Sequence, residues 1–296
     1  MPFFSSLAAF GRAFTLIANQ ILQWTVAGGN SQGFLDANGT SARFDYPQGL
    51  AATSSGIVYV ADTNNNRVRK IERNGDVTTY AGNGTGQLLN GNGLSASFFS
   101  PRGIAIDSSG NVFVADTYNA VIRKIDTNRD VTTFANVGGH DVDIGSDGTL
   151  YTITDFSVQK IAPNGTVTRI TGANGLGYTE GASNVAQFQY PTGVAVDSGG
   201  NVYVGDTYNN VVRKVSPLGV VSTFATGFNL PGGVVVDSNG NVYVGDYGNS
   251  RVCKITSAGV VSTVATGFGP YGVSLDSDGV LYVSDIGAHR ITNITQ

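Results

Sequence analysis

GNVYVGDTYNNVVRKV (residues 200–215) decides the fold of this chain, because two short apolar runs in it flank a polar Asp-Thr-Tyr-Asn-Asn segment. Similar stretches are GIVYVADTNNNRVRKI (56–71), GNVFVADTYNAVIRKI (110–125) and GNVYVGDYGNSRVCKI (240–255). Short runs of Val, Ile, Tyr and Phe bounded by Gly, Asn and Asp are typical of β-strands joined by tight turns. The sequence therefore predicts a repeated strand pair.

Each stretch lies inside a longer unit that opens near a Pro-x-Gly element. Six copies align, and the third, which lacks the proline, is the most degenerate; they span residues 46–71, 100–125, 138–161, 190–215, 230–255 and 269–294. In the fourth copy the apolar runs predict strands at 194–196, 202–204, 211–215 and 220–225. Consecutive strands with short turns form an antiparallel meander, so each copy predicts a four-stranded sheet.

A sheet of this kind has two open edges and cannot bury both faces alone, so six copies packed around one axis predict a closed all-β propeller. The units resemble NHL repeats through their Pro-x-Gly-Val-Ala-Val-Asp, Gly-Asn-Val-Tyr-Val, Gly/Ala-Asp-Thr-x-Asn and Arg-Lys-Ile elements. The resemblance covers residues 25–294 and implies a six-bladed β-propeller. It implies no single function, because propellers of this type include enzymes, receptors and scaffolds.

The stretch ILQWTVAGG (21–29) resembles the last strand of a unit, although it precedes the first one. The sixth copy ends at residues 294–296, after its third strand, and lacks a fourth. We expect residues 21–27 to form that missing outermost strand and to pair with the chain near residues 291–294. This pairing would close the ring and remove a free sheet edge.

Residues 1–20 match no repeat, and the remaining residues 21–296 are expected to form a single propeller. Their apolar side chains recur every three or four residues, which predicts a short apolar helix; they are Phe3, Leu7, Phe10, Phe14 and Ile17. The apolar run is too short for a membrane span and lacks the basic start of a secretory signal. This helix either folds back on the propeller or packs against another subunit or partner, which would place the chain in a homo-oligomer or a larger assembly.

In an antiparallel meander, the connection entering each blade and the loop between its second and third strands lie at the same end, here called the top face. Three connections entering blades are long, at residues 28–46, 82–100 and 172–190, and they either bind a partner or cap their blades. The variable residue of Pro-x-Gly should lie at the mouth of the central channel. Across the six copies this ring reads Gln48, Arg102, His140, Thr192, Gly232 and Tyr271, with Asp141 next to His140. We predict that this ring contacts the ligand.

The residues that bind metals or act as nucleophiles are sparse in this sequence. Three protein ligands hold a catalytic zinc, but the chain has only His140 and His289, which the repeat order places on opposite blades. The mouth also lacks a Glu/Asn/Asp set for calcium. Cys253 lies in an apolar run and is expected to be a buried strand residue. We therefore expect no metal and no cofactor.

Aspartates and basic pairs recur in the units. One aspartate per copy is expected to cap the loop after the second strand and to meet the following basic residue; the set is Asp62, Asp116, Asp155, Asp206, Asp246 and Asp285. The Arg-Lys pairs at 69–70, 123–124 and 213–214 are expected on a solvated or aspartate-paired blade surface. Because these residues recur in the repeats, they are expected to stabilise each blade and not to form one metal or anion site.

Net charge of −4 and a pI near 5.0 argue against a nucleic-acid partner. The sequence favours a non-enzymatic binding or scaffold propeller that presents its top face to a protein or a glycan, in an extracellular, cell-surface or virion-surface setting. The alternative is a metal-dependent lyase or lactonase of the same architecture.

Overall fold

Six antiparallel sheets surround a central axis in a computed structural model that describes residues 22–29, 31–172 and 175–295. Blade 1 contains β2 Pro47–Ala52, β3 Val58–Asp62, β4 Arg67–Ile71 and β5 Val77–Ala81. Blade 2 contains β7 Pro101–Ile106, β8 Val112–Asp116, β9 Val121–Ile125 and β10 Asp130–Ala135, with the two-residue strand β6 Gly91–Asn92 added outside β10. Blade 3 contains β11 Asp141–Ile144, β12 Leu150–Ile153, β13 Val158–Ile161 and β14 Val167–Thr171.

The remaining blades continue the same order from the axis outward. Blade 4 contains β15 Gly193–Val196, β16 Val202–Asp206, β17 Val211–Val215 and β18 Val221–Ala225. Blade 5 contains β19 Pro231–Val236, β20 Val242–Asp246, β21 Arg251–Ile255 and β22 Val261–Thr266. Blade 6 contains β23 Pro270–Leu275, β24 Leu281–Asp285, β25 Arg290–Thr295 and, as its outermost strand, β1 Leu22–Gly28. The predicted all-β six-bladed propeller of four-stranded antiparallel blades is confirmed.

The ring is closed by β1, which pairs antiparallel with β25. Trp24 lies opposite Asn293 and Ala27 opposite Ile291, with a bulge between Thr25 and Ala27. Val26 and Ala27 are buried in the seam between blades 6 and 1. The predicted pairing of the N-terminal strand with the end of the chain is confirmed, and the strand extends one residue farther, to Gly28.

Helical structure is limited in the described ranges to short 3-10 turns. They are Gly39–Ser41, Thr63–Asn65, Gly93–Ser95, Thr117–Asn119, Thr207–Asn209 and Tyr247–Asn249. The apolar helix predicted for residues 1–20 lies outside the described residues, and so do its side chains Phe3, Leu7, Phe10, Phe14 and Ile17. No helix in the part of the chain that the structure describes is long and apolar enough to cross a membrane.

The core consists of apolar clusters in the seams between neighbouring blades. Alternating strand residues contribute Val, Ile and Leu side chains, since successive side chains of a strand point to opposite faces. Three completely buried phenylalanines, Phe44, Phe98 and Phe188, come from the ends of the long connections. The long connections are therefore part of the core and not loose surface loops.

Each long connection also covers the outer edge of the blade that it enters. In blade 1 the amide of Val77 donates to the carbonyl oxygen of Ala37 at 2.9 Å. In blade 2, β6 pairs with β10, and in blade 4 the backbones of Gly181 and Val221 exchange two hydrogen bonds of 2.8 and 2.9 Å. The long connections were expected either to bind a partner or to cap their blades. The structure shows capping, because they cover the outer edges of blades 1, 2 and 4.

Candidate functional site

The top face carries the connections that enter the blades, here called incoming connections, and the loops between second and third strands, here called upper loops. The two are hydrogen-bonded to each other: the amide of Tyr118 donates to the carbonyl oxygen of Phe99 at 3.1 Å, and Tyr208 donates to Gln189 at 3.1 Å. The predicted grouping of both segments at one end is confirmed. Any site built from them faces the same side of the ring.

A buried aspartate at the end of each second strand, except in blade 3, ties these segments together. Asp116 accepts hydrogen bonds from the amide of Phe99 at 2.7 Å, from Nδ2 of Asn119 at 2.8 Å and from Nη1 of Arg123 at 2.9 Å. The five ion pairs of this kind are Asp62–Arg69, Asp116–Arg123, Asp206–Arg213, Asp246–Arg251 and Asp285–Arg290. The predicted pairing with a following arginine is confirmed, but the bound amide belongs to the incoming connection and not to the upper loop.

Asp155 is an exception, and the prediction that it is the blade 3 member of this set is wrong. The upper loop of blade 3 is two residues shorter, so Thr154 directly follows β12 where the other blades have aspartate. Thr154 bonds the hydroxyl of Ser157 at 2.8 Å. Asp155 is displaced into the loop, and its side chain is 55% exposed. It is therefore free to contact the channel mouth.

The basic pairs were expected on the blade surface, whereas three of their arginines are completely buried: Arg69, Arg123 and Arg213. Besides its aspartate, Arg123 donates to the carbonyl oxygens of Ser97 and Leu89 at 2.9 and 3.0 Å and lies over the ring of Phe98. Those partners belong to the long incoming connection of the same blade. These arginines therefore hold the long connections in place.

The mouth of the channel brings together the side chains that the sequence predicted for it. One narrow opening of about 20 Å³ is lined by Gln48, Arg102, His140, Asp141, Thr192 and Tyr271. Gly232, the remaining member of the ring, contributes no side chain. A cavity of about 260 Å³ within the channel is lined by the innermost strands. The predicted ring is therefore a single structural feature, while its role in binding stays a prediction.

A chain of hydrogen bonds crosses one side of this mouth. Nη1 of Arg102 lies 3.0 Å from Nδ1 of His140, and Nε2 of His140 lies 2.7 Å from Oδ1 of Asp155. Because a guanidinium has only donors, Nδ1 accepts and the ring proton is on Nε2, where it is donated to Asp155. The ring of His140 is therefore held at both nitrogens.

Asp141 stands where the other innermost strands have the glycine of Pro-x-Gly. At Gly49 a side chain has no room, because a Cβ atom there would lie 2.2 Å from the carbonyl oxygen of Arg102 in the next blade. In the seam between blades 3 and 4, Oδ2 of Asp141 instead accepts a hydrogen bond from the amide of Val194 at 3.0 Å. Burial raises the pKa of Asp141 to about 8 against the opposing effect of this hydrogen bond. At neutral pH this carboxyl is mostly protonated.

Asp143 repeats the arrangement two residues farther along β11. Its Oδ2 accepts from the amide of Val196 at 2.8 Å, and burial raises its pKa to about 6. Both carboxyl groups therefore link blade 3 to blade 4, in the one copy whose Pro-x-Gly element is lost.

The two histidines lie in separate networks. Nδ1 of His289 accepts from the amide of Tyr46 at 3.1 Å, whereas His140 contacts Arg102 and Asp155. Within the described ranges, no three His, Cys, Asp or Glu residues are grouped as metal ligands. Cys253 is completely buried, and burial raises its pKa to about 11, which fits the predicted strand residue rather than a nucleophile.

An aromatic surface around the mouth was missed by the sequence reasoning. Six side chains on the top face, here called the aromatic rim, are between 37% and 61% exposed; they are Tyr46, Phe99, Tyr118, Tyr190, Tyr208 and Tyr247. Phe99 packs edge to face on Tyr118, and Tyr190 on Tyr208, with ring centroids 5.1 and 5.5 Å apart. The signal was present, because these aromatics lie one or two residues before Pro-x-Gly or within the upper loops, and Tyr118 and Tyr208 occupy the same repeat position.

Comparison with known proteins supports the repeat assignment. The NHL repeat family model matches residues 44–71, 98–125, 188–214 and 228–255, which lie in blades 1, 2, 4 and 5. NHL repeat-containing protein 2 of Gallus gallus is 35% identical over 100 residues, which are 33% of this chain and only 14% of that protein. The aligned segment is therefore a small part of that relative.

Two solved structures have a similar fold. The gluconolactonase XC5397 from Xanthomonas campestris has a TM-score of 0.69 at 15% identity and covers 98% of this chain and 92% of its own. Virginiamycin B lyase from Staphylococcus aureus has a TM-score of 0.61 at 12% identity, covering 94% and 99%. At these identities the similarity extends to the fold alone. Together with the blade topology, it identifies this chain as a six-bladed β-propeller in which the NHL repeat model matches four of the blades.

Proposed function

We propose that this propeller is a non-enzymatic binding module that presents its top face to a protein. The observation that carries the proposal is the aromatic rim around a polar mouth. Exposed aromatic side chains gathered on one face mark interaction surfaces. Tyrosine is well suited to this role, because it offers a large rigid contact area with a polar end at low cost in conformational entropy.

A protein ligand fits this surface better than a glycan does. The mouth itself has room for about one water-sized group, so a sugar ring does not enter it. An extended peptide can place one small group in the mouth while its neighbouring residues pack on tyrosines such as Tyr118 and Tyr208. Aromatic anchors of this kind carry most of the binding energy in protein interfaces.

The alternative, a metal-dependent lyase or lactonase, draws support from the fold similarity to XC5397 and virginiamycin B lyase. The geometry at the mouth opposes it. Both ring nitrogens of His140 are engaged, by Arg102 and by Asp155, so neither is free to bind a metal without breaking one of these hydrogen bonds. A role for residues 1–20 in a surface assembly or filament stays a prediction.

Peptide selection on the full chain tests the proposal. Random 12-residue peptides are selected by phage display, and their affinities for the wild type are compared with those for the Tyr118→Ala/Tyr208→Ala double variant. We expect affinity to fall at least about 30-fold, because an aromatic anchor contributes about 2 kcal/mol or more. The matched control is Leu218→Ala, which removes an 88% exposed apolar side chain from the turn between β17 and β18 on the opposite face.

Selected peptides that bind the double variant and the wild type equally would reject the top face as the binding surface. One zinc or calcium ion per chain in purified protein, lost in His140→Ala, would favour the enzyme alternative instead.

A further inference from the structure

We propose that the channel mouth is a carboxylate-binding subsite, in which Arg102 receives one carboxylate of a bound peptide. This inference rests on the proposed function and specifies the chemistry of its ligand. The carboxylate belongs either to an Asp or Glu side chain or to the C-terminus of the peptide. The flanking residues of the peptide lie on the aromatic rim.

The charge of Arg102 is not compensated by the protein. Five other arginines of the top face each form an ion pair with a buried aspartate, as Arg123 does with Asp116 at 2.9 Å. In the described part of the chain, Arg102 has no carboxylate at ion-pair distance, and its side-chain hydrogen bond is to Nδ1 of His140. A half-buried guanidinium without a counter-charge attracts an anion from outside.

The polar groups of the mouth are not all satisfied internally. Oε1 of Gln48 and Nε of Arg102 are buried without a hydrogen-bond partner, and the Gln48 side chain is only 5% exposed. Leaving such groups unpaired costs about 1–3 kcal/mol each. A ligand that supplies an acceptor to Arg102, and a water that it orders beside Gln48, recovers part of that cost.

Hydroxyl groups complete the opposite wall. Thr192 Oγ1 lies 2.7 Å from Thr207 Oγ1, and the Tyr271 ring packs edge to face near Tyr247. Burial raises the pKa of Tyr271, while the nearby Arg102 opposes the shift, so the phenol stays protonated and remains a donor. Because Thr207 donates to the carbonyl oxygen of Pro231 at 2.8 Å, Thr192 donates to Thr207. The donors left to a ligand are the guanidinium of Arg102 and the phenol of Tyr271, and the charged one favours an anionic ligand over a cationic one.

The carboxyl groups already at the mouth do not repel a second one strongly. Asp141 is mostly neutral at pH 7, because burial raises its pKa to about 8. Asp155 lies beyond the ring of His140 and is occupied by its Nε2–H group. Arg102 lines the opening itself, whereas Asp155 does not.

The test uses peptides of defined charge on the full chain. Each peptide selected on the top face is made in matched forms: with every Asp and Glu replaced by Asn and Gln, and with a free or an amidated C-terminus. Fluorescence anisotropy measures the dissociation constants for the wild type, Arg102→Met and Arg102→Lys. The control Arg43→Gln removes the same charge from an exposed arginine of an incoming connection.

We expect Arg102→Met to weaken binding about 10-fold to 100-fold, Arg102→Lys to weaken it less, and Arg43→Gln to change it less than 2-fold. One of the two peptide changes, neutralising the side chains or amidating the C-terminus, should weaken binding to the wild type as much as Arg102→Met does. That change should not weaken binding to Arg102→Met any further. It identifies the source of the carboxylate. Circular dichroism confirms that Arg102→Met is folded.

Peptides that need the aromatic rim but bind equally well when neutralised and amidated would overturn the subsite and leave the proposed function standing. Failure of every peptide to bind the top face would overturn both.

Discussion

Replacing Arg123 with methionine should destabilise the propeller strongly, because the buried guanidinium donates to one carboxylate, two backbone carbonyl oxygens and the amide oxygen of Asn90. Asp116 would lose its counter-charge, and the carbonyl oxygens of Ser97 and Leu89 would lose their donor. Removing one partner of a buried ion pair costs about 3–5 kcal/mol. Methionine fills part of the volume, so the loss comes mainly from the uncompensated polar groups.

The expected change in melting temperature follows from the length of the chain. An unfolding entropy of about 2.1 cal/mol/K per residue, taken over 296 residues, gives about 0.6 kcal/mol/K. A loss of about 3–5 kcal/mol then lowers the melting temperature by about 5–8 °C. The neighbouring variant Lys124→Met also removes one positive charge, but the contact it loses is only a cation–π contact with Phe113. It should lower the melting temperature by less than about 2 °C.

The pH dependence separates this cause from a simple packing defect. Burial raises the pKa of Asp116, and loss of the guanidinium raises it further. The folded variant then binds a proton more tightly than the unfolded chain, so its stability rises as pH falls. Calorimetry should show that Arg123→Met loses more stability relative to the wild type at pH 8 than at pH 5. An equal deficit at both values, or a melting temperature within about 1 °C of the wild type at pH 8, would refute the reasoning.

Two further predictions concern the channel wall and the ring closure. Because the folded-state pKa of Asp141 is raised from 3.8 to about 8, the wild type should lose stability as pH rises from 4 to 8. Asp141→Asn should lose less stability over the same range. If the melting temperatures of the two proteins change with pH in parallel, the assigned protonation is contradicted. A chain that begins at Gly29 lacks β1 and should melt at least about 2–5 °C below one that begins at Leu22, since burying Val26 alone contributes about 1.5–3 kcal/mol. Equal calorimetric melting temperatures would exclude β1 as the closing strand.

The fold was predictable because its signal is repeated. Short apolar runs, the Pro-x-Gly element and turn residues recur in six copies, so an ambiguous copy such as the third is resolved by its neighbours. Closure by β1 was also predictable, because the sixth copy lacks a fourth strand and the N-terminal strand precedes the first copy. The residues at the channel mouth were predictable too, because they occupy the same position of the Pro-x-Gly element in each copy.

The protonation and the partners at the site were not predictable from the register. The upper loop of blade 3 is two residues shorter, which moves Asp155 out of the repeated position and toward His140. The third copy is two residues shorter than the others in the sequence, but its length does not show on which side of Asp155 the residues are missing. Burial of Arg69 and its equivalents was hidden too, because the segment that covers each arginine lies more than 20 residues earlier in the chain.

The long connections and their arginines occur together, in blades 1, 2 and 4. At the equivalent strand position blade 5 has Cys253 and blade 6 has Thr292, and there the aspartate pairs instead with Arg251 or Arg290, two residues earlier. The long connection, the aspartate and the arginine are thus hydrogen-bonded within one blade, while the phenylalanine packs in the seam with the preceding blade. Exchanging a whole unit between positions carries its own internal counter-charge along, whereas grafting a long connection alone onto blade 5 would leave it without an anchor. Such an exchange must also preserve the seam with the preceding blade, where Phe98 packs on Tyr59 and the amide of Ser100 donates to Oδ1 of Asn66 at 2.8 Å.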